Sequence, residues 1–225
     1  MIILSKRINI RKIIVSLFWN AVAVLALVVL LAVLSGCAPE NNRQVPFQIV
    51  FGSLNMNESA ISQFENLLKN EIPELTIGGN APLFTAMVMG EVQNDAESAI
   101  IIDPMFAIGG MMKLPVLIAA GELDMMICDM ENAARNARGD MFMPLGDIFS
   151  DEELAELSGR LLSFDLVESD GYETVATGEK TLVCGINVSD NAALKSIFGN
   201  QEIGVFIVAN TKNVDLVKTV MLSLI

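Results

Sequence analysis

Ile13 to Leu34 is an uncharged run of 22 residues, rich in Val, Leu and Ala and broken only by Ser16 and Asn20. Lys6, Arg7, Arg11 and Lys12 precede it with no acidic residue among them. A run of this length can cross the roughly 30 Å of a bilayer's hydrocarbon core, and a basic flank holds its own end on the cytoplasmic side. The remainder of the chain is therefore predicted to fold outside the membrane, and the fold must be sought after residue 36. The run exceeds the roughly 7 to 15 apolar residues of a usual signal segment. Two readings stay open on length alone: a signal that is removed, or a spanning helix that is retained.

The junction Leu34-Ser35-Gly36-Cys37 resembles the lipobox of bacterial lipoproteins, an apolar residue and two small ones before a Cys. The resemblance implies cleavage before Cys37, thioether lipidation of that Cys with palmitate-type chains, and a lipid-anchored chain on the extracytoplasmic face of a bacterial cell membrane. The organisation expected is a signal peptide over residues 1–36, a lipidated tether over 37–46 containing two Pro, two Asn and a Gln, and a folded domain over 47–225.

Residues 1–36 hold four of the 14 basic residues and none of the 27 acidic ones, so residues 37–225 carry a net charge of -17. Such a surface repels phosphates and anionic headgroups, so no nucleic acid is expected as a partner and the N-terminal anchor is expected to hold the chain at the membrane. With 52% hydrophobic residues and a mean hydropathy of +0.52, the composition suits a packed domain rather than a disordered one.

The chain has no His, which excludes Ser-His-Asp catalysis and the commonest zinc sites. Walker A, G-x-G-x-x-G, G-x-S-x-G and C-x-x-C motifs are all missing. Thirteen Met, including the M-x-M pairs Met87/Met89 and Met141/Met143, raise the idea of a Cu(I) site. They fall in apolar runs where Met fills core gaps, so no metal or cofactor is expected. Cys128 and Cys184 lie in strand-like runs and read as small buried hydrophobes, with a disulfide the alternative. A carboxylate-pair enzyme has no motif to locate it among 27 acids, and the chain is read as a non-enzyme.

Apolar periodicity and turn signals predict a strand over Phe47–Leu54, a helix over Glu58–Asn70 capped by Asn57, and strands over Leu75–Ile77, Phe84–Val92 and Ser98–Ile102. Pro104–Gly121, apolar throughout, predicts a buried helix, and Leu123–Cys128 a buried parallel strand. Asp129 caps a helix over Met130–Arg138, and Ser150-Asp151-Glu152-Glu153 is a capping box opening a short helix to Leu157. Strands are predicted over Leu161–Val167, Glu173–Thr177, Thr181–Val188 and Ile203–Ala209, with helices over Asn191–Ile197 and Val214–Leu224. Strands alternating with helices predict an α/β fold with a partly parallel sheet.

Lys113 to Asp129 (KLPVLIAAGELDMMICD), followed by Phe142 to Ile148 (FMPLGDI), resembles a stretch of the extracellular solute-binding proteins of ABC importers. Gly204 to Leu224 is similar to their late strand, Asn-Thr-Lys-Asn turn and closing helix, and the opening at Phe47 to Asn70 also fits. The resemblance implies a periplasmic-binding-protein-like fold of two small lobes, a solute bound between them near the carboxyl ends of strands, and an ABC permease as partner. Carried onto this chain, the loops after the first strand and after Leu123–Cys128 would supply Ser53, Asn55, Asn57, Asp129, Glu131 and Asn132 as ligand-binding residues. Each of these residue types also serves in caps and turns. The only Trp, Trp19, lies in the export segment and the only Tyr is Tyr172. An aromatic platform for sugars is therefore not expected, and the acidic surface favours a neutral or cationic solute. The competing expectation is a surface interaction or structural lipoprotein that keeps the fold without transport.

Overall fold

The computed structural model describes residues 46–76, 81–90, 104–169 and 174–225. The export segment, Cys37 and the strand expected over residues 98–102 lie outside them. Gln44–Ile225 forms one compact unit. It is built on a six-stranded sheet of order β2-β1-β3-β8-β7-β4. The architecture is α/β with a mixed sheet; the two lobes expected from the resemblance do not separate within this unit.

β1 (Gln48–Ser53) runs parallel to β2 (Leu83–Val88) on one side and to β3 (Met125–Asp129) on the other. β8 (Ile203–Ile207) is antiparallel to β3, β7 (Gly185–Asn187) antiparallel to β8, and β4 (Leu161–Leu162) antiparallel to β7. Every residue of β1 and β8 is buried, as expected where both faces of a sheet are covered.

Alternate residues feed two cores. Ile49, Phe51, Ile127, Val205 and Ile207 face one, where α1 (Glu58–Glu71) contributes Ile61, Phe64 and Leu68, α5 (Ala192–Phe198) contributes Leu194 and Ile197, and α6 (Val214–Ser223) contributes Val217, Val220 and Met221. Val50, Met126, Cys128 and Phe206 face the other, against Leu114 and Ile118 of α2 (Pro104–Ala120) and Ala133 and Ala137 of α3 (Met130–Arg138). The chain is thus wound on both sides of the sheet. Helix α4 (Asp151–Glu156) opens on the predicted capping box: the Ser150 hydroxyl accepts from the Glu153 N–H, and the Glu153 carboxylate accepts from the Ser150 N–H.

Several sequence expectations are corrected. Where a strand was expected from Leu75, Pro73–Thr76 is a 3-10 turn pinned by buried Leu75 and by the Thr76 hydroxyl donating to the Pro73 carbonyl at 2.8 Å; residue 77 lies outside the described residues. The strand expected over Leu161–Val167 is broken in two, and that over Thr181–Val188 is shortened to Gly185–Asn187. β5 (Asp165–Ser169) and β6 (Thr174–Lys180) form a separate two-stranded ribbon, while Leu161–Leu162 and Gly185–Asn187 stay in the main sheet. The break falls where Phe164 and Thr181 pair, the Phe164 N–H donating to the Thr181 hydroxyl and the Thr181 N–H to the Phe164 carbonyl. Helix α2 is present at its predicted span, but it is buried on one side only. Ala107, Leu114 and Ile118 are inside, while Ile108, Met112 and Val116 are exposed.

Close approach requires glycine at two positions beside one aromatic ring. At Gly185 and Gly204, on neighbouring strands, a Cβ would lie 2.2 and 2.4 Å from the ring of Phe206, which covers both.

Candidate pocket at the strand switch point

The chain leaves β1 toward α1 on one face and leaves β3 toward α3 on the opposite face. Adjacent parallel strands whose connections part in this way leave a crevice at their carboxyl ends, where open α/β sheets bind ligands. A pocket of about 340 Å³ lies there. Ser53, Leu54 and Asn55 enter it from the end of β1, Gly90 from beyond β2, and Asp129, Met130, Glu131 and Asn132 from the turn into α3. Gln201 and Glu202 enter just before β8, whose antiparallel direction brings its start to this edge.

The wall is held by a closed set of hydrogen bonds. Ser53, 1% exposed, donates its hydroxyl to Gln201 Oε1 at 3.0 Å, and Gln201 Nε2 donates to the Asn55 and Phe198 carbonyls at 2.8 and 2.9 Å. Gln201 thereby fastens the loop after β1 to the loop before β8. Across the crevice, Asp129 caps α3: its Oδ1 accepts from the Asn132 backbone N–H at 2.9 Å and from Asn132 Nδ2 at 3.1 Å. Asn132, 2% exposed, also donates to the Met89 carbonyl at 3.0 Å, tying α3 to the end of β2. The loop beyond β2 turns at Gly90, whose φ of 139° is open to glycine and strained for other residues.

Of the residues expected to bind, Ser53, Asn55, Asp129, Glu131 and Asn132 line this one pocket. Asn57 does not: it stands at the start of α1, its N–H donating to the Ile197 carbonyl at 2.7 Å and its Oδ1 accepting from the Ser59 hydroxyl at 2.6 Å. Its side chain does not cap α1. Gln201 and Glu202 were not expected, because sequence alone did not orient β8.

The electrostatics follow from the lining. Asp129, Glu131 and Glu202 face the pocket, and no Lys or Arg is among the described residues that line it. The helix N-terminus that could have drawn an anion is occupied by Asp129. Glu131 pairs with Arg135 at 3.0 Å one turn along α3. The arrangement can take hydrogen-bond donors and positive charge and disfavours phosphates and carboxylates.

A larger cavity of about 570 Å³ lies by Arg160, Asn187, Ser189 and Asp190. Its cation is spent within the wall, since Arg160 makes a forked pair with Asp190 at 2.6 and 2.7 Å. That bond holds the Asp190 carboxyl below its usual range. The switch-point pocket is the better candidate because its polar groups converge from four separate segments.

Cys128, beneath the pocket in β3, is free and buried, as is Cys184. Burial pushes the Cys128 thiol well above its ordinary value, with the Asp129 carboxylate adding to the shift, so no nucleophilic thiolate is available there. Among the described residues no group of three or more His, Cys, Asp and Glu side chains is placed to hold a metal ion. Met87, Met89 and Met126 are core side chains, with Met89 and Met126 packed over Gly52. Among the described residues no helix is long and apolar enough to cross a membrane. No protein-family model, curated protein or solved structure matches this chain.

Proposed function

We propose that this chain is a bacterial lipoprotein, anchored through Cys37 on the extracytoplasmic face of the membrane, that binds a small neutral or cationic solute in the switch-point pocket. The observation that carries the reading is the convergence of Ser53, Asn55, Asp129, Glu131, Asn132, Gln201 and Glu202 on one crevice, with no basic residue among the described residues of its wall. A pocket of about 340 Å³ has the size of a small-metabolite site. Its carbonyl, amide, hydroxyl and carboxylate groups suit an amine, an amide or an amino-acid-like head group. Kinship with the solute-binding components of ABC importers is proposed at the level of one lobe. A permease would then receive solute from an open crevice rather than from between two closing lobes.

A thermal-shift screen followed by calorimetric titration tests the binding reading, using panels of amines, amino acids, oligosaccharides and organic phosphates. A ligand at 100 times its dissociation constant adds about 2.7 kcal/mol of stability. The expected hit is an amine or a neutral amide, lost in a Glu202→Lys variant. No hit in any panel, or tight binding of an oligosaccharide or organic phosphate, would overturn the reading. The anchor is tested separately: Cys37→Ala should abolish lipid labelling and signal removal, and unchanged processing would refute it.

A further inference from the structure

Helix α2 has an outward face that a water-facing helix should not have. Ala107, Leu114 and Ile118 lie inside, and the opposite side carries Ile108, Met112 and Val116, which are 44%, 70% and 65% exposed. These three recur at intervals of four residues and so form one stripe along the helix. A surface helix in a domain of net charge -17 would ordinarily show polar or acidic residues there. Instead, Pro104–Ala120 contains no acidic residue, and its one charge is Lys113, exposed beside the stripe. With its inner side packed on the sheet, the helix presents outward an apolar face that can lie against a bilayer, while the long Lys113 side chain reaches up to phosphates.

The position of the helix agrees. α2 ends at Ala120 and the chain passes into β3, whose Met125 lies opposite Ile49 of parallel β1. The end of α2 and the start of the domain at Phe47 therefore share one edge of the sheet. The tether of residues 38–46 can extend no more than about 30 Å, close to the roughly 25 Å length of a 17-residue helix. An anchor at Cys37 would keep this face within reach of the membrane throughout.

We propose that the Ile108-Met112-Val116 face of α2 rests on the lipid surface to which the chain is tethered, giving the domain a second contact with the membrane and a fixed orientation on it. The inference rests on the membrane anchor proposed above.

The test uses the processed chain from Cys37 onward, lipidated at that residue and free of Trp once residues 1–36 are removed, reconstituted into vesicles of phosphatidylcholine and phosphatidylglycerol with or without brominated acyl chains. Single Trp residues are then introduced as Met112→Trp, as Val116→Trp, or as Leu222→Trp on α6 across the sheet; Leu222 is 45% exposed. All three positions are exposed, and unchanged melting of each variant verifies that it folds. Bromolipid should quench the two α2 reporters at least about two-fold more than the α6 reporter. Equal quenching at all three sites, with the chain floating with the vesicles, overturns this inference and leaves the anchor standing. Blue-shifted but unquenched α2 reporters would mean that protein, a second copy or a partner, covers the face, which also overturns it. A chain that does not float with vesicles removes both this inference and the anchor.

Discussion

Asp129 occupies two roles at once, and its substitutions separate them. Oδ1 alone accepts from both the backbone and the side chain of Asn132, at 2.9 and 3.1 Å, while Oδ2 makes one further contact of 3.1 Å with Asn132 Nδ2. An Asn at 129 keeps an oxygen where Oδ1 stands and so keeps the cap. What it loses is the negative charge at the start of α3, worth about 0.3 to 1 kcal/mol. An Ala loses the cap, about 1 kcal/mol. It also leaves one N–H of Asn132, 2% exposed, without its acceptor, for about 1 to 2 kcal/mol more. In a domain of this size 1 kcal/mol moves the midpoint by about 2 to 4 °C. Asp129→Ala should therefore melt about 4 to 12 °C below the parent, and Asp129→Asn about 1 to 4 °C below, by far-UV circular dichroism. Binding should sort differently. Removing one charged partner of a hydrogen bond costs about 1.5 to 3 kcal/mol, or about 10- to 150-fold in affinity. A cationic ligand should thus be weakened in Asp129→Asn as well as in Asp129→Ala, even though only the latter loses much stability. Equal melting of the two variants would refute the capping argument. Unchanged affinity of a cationic ligand in Asp129→Asn would remove Asp129 from the site.

Asp124 is 5% exposed and gathers the Gln48 N–H at 2.9 Å, the Thr211 hydroxyl at 2.6 Å and Asn213 Nδ2 at 2.9 Å; Asp124→Ala should cost about 3 kcal/mol in urea titration, and a loss under 1 kcal/mol would contradict these contacts. Gly204→Ala would place a Cβ 2.4 Å from the Phe206 ring and should cost about 1 to 3 kcal/mol, with most of the loss recovered in a Gly204→Ala, Phe206→Leu double variant. Burial pushes the Cys184 thiol up from its ordinary 9.0 to about 11. Its neutral form is therefore favoured by folding, a stabilisation fully present below pH 9 and lost as pH rises from 9 to 11. Cys184→Ala should flatten that alkaline decline, and iodoacetamide should leave both buried thiols unmodified in the native domain at neutral pH. The Glu153 carboxyl is lowered from 4.5 by its bonds to Lys218 and to the Ser150 N–H. Its contribution is present above that value and fades as pH falls through it, so Lys218→Met should blunt the acid-side loss.

The alternation of strands and helices, with caps at Asp129 and Ser150, made most elements legible in the sequence, because each of those signals is local. What could not be read was direction and continuity. Leu161 to Val167 and Glu173 to Val188 read as plain β-type runs, yet at the level of Phe164 and Thr181 the paired arms leave the main sheet and continue as the β5–β6 ribbon. Nothing local to either arm marks that departure. It depends on the main sheet ending at β4. The site shows the same division. Ser53, Asn55, Asn57, Asp129, Glu131 and Asn132 were named together through the resemblance, and all but Asn57 fall on one pocket because the ends of parallel strands share one edge. Gln201 and Glu202 were not, since their place depends on β8 running antiparallel to β3, and a five-residue apolar strand has no polarity of its own.

Helix α2 carries that argument furthest. A helix with one polar face announces which side is buried, because the apolar stripe marks the direction of the core. Pro104–Ala120 is apolar all round apart from Lys113, so its sequence supplied a helix but no phase, and full burial was the natural expectation. The phase comes from the sheet instead. A Cβ on Gly110 would lie 2.2 Å from the Val88 carbonyl oxygen of β2, so the helix can lie this close to the strand only on its Gly110 side. That contact turns Leu114 and Ile118 inward and leaves Ile108, Met112 and Val116 outward. Among the described residues β2 is an edge strand of the sheet, and the three side chains stay exposed. In a water-facing helix an apolar outer stripe contributes nothing to folding and favours association. Its retention on a long helix without an acid, beside a short tether, is what ties the fold of this domain to the surface on which it is proposed to stand.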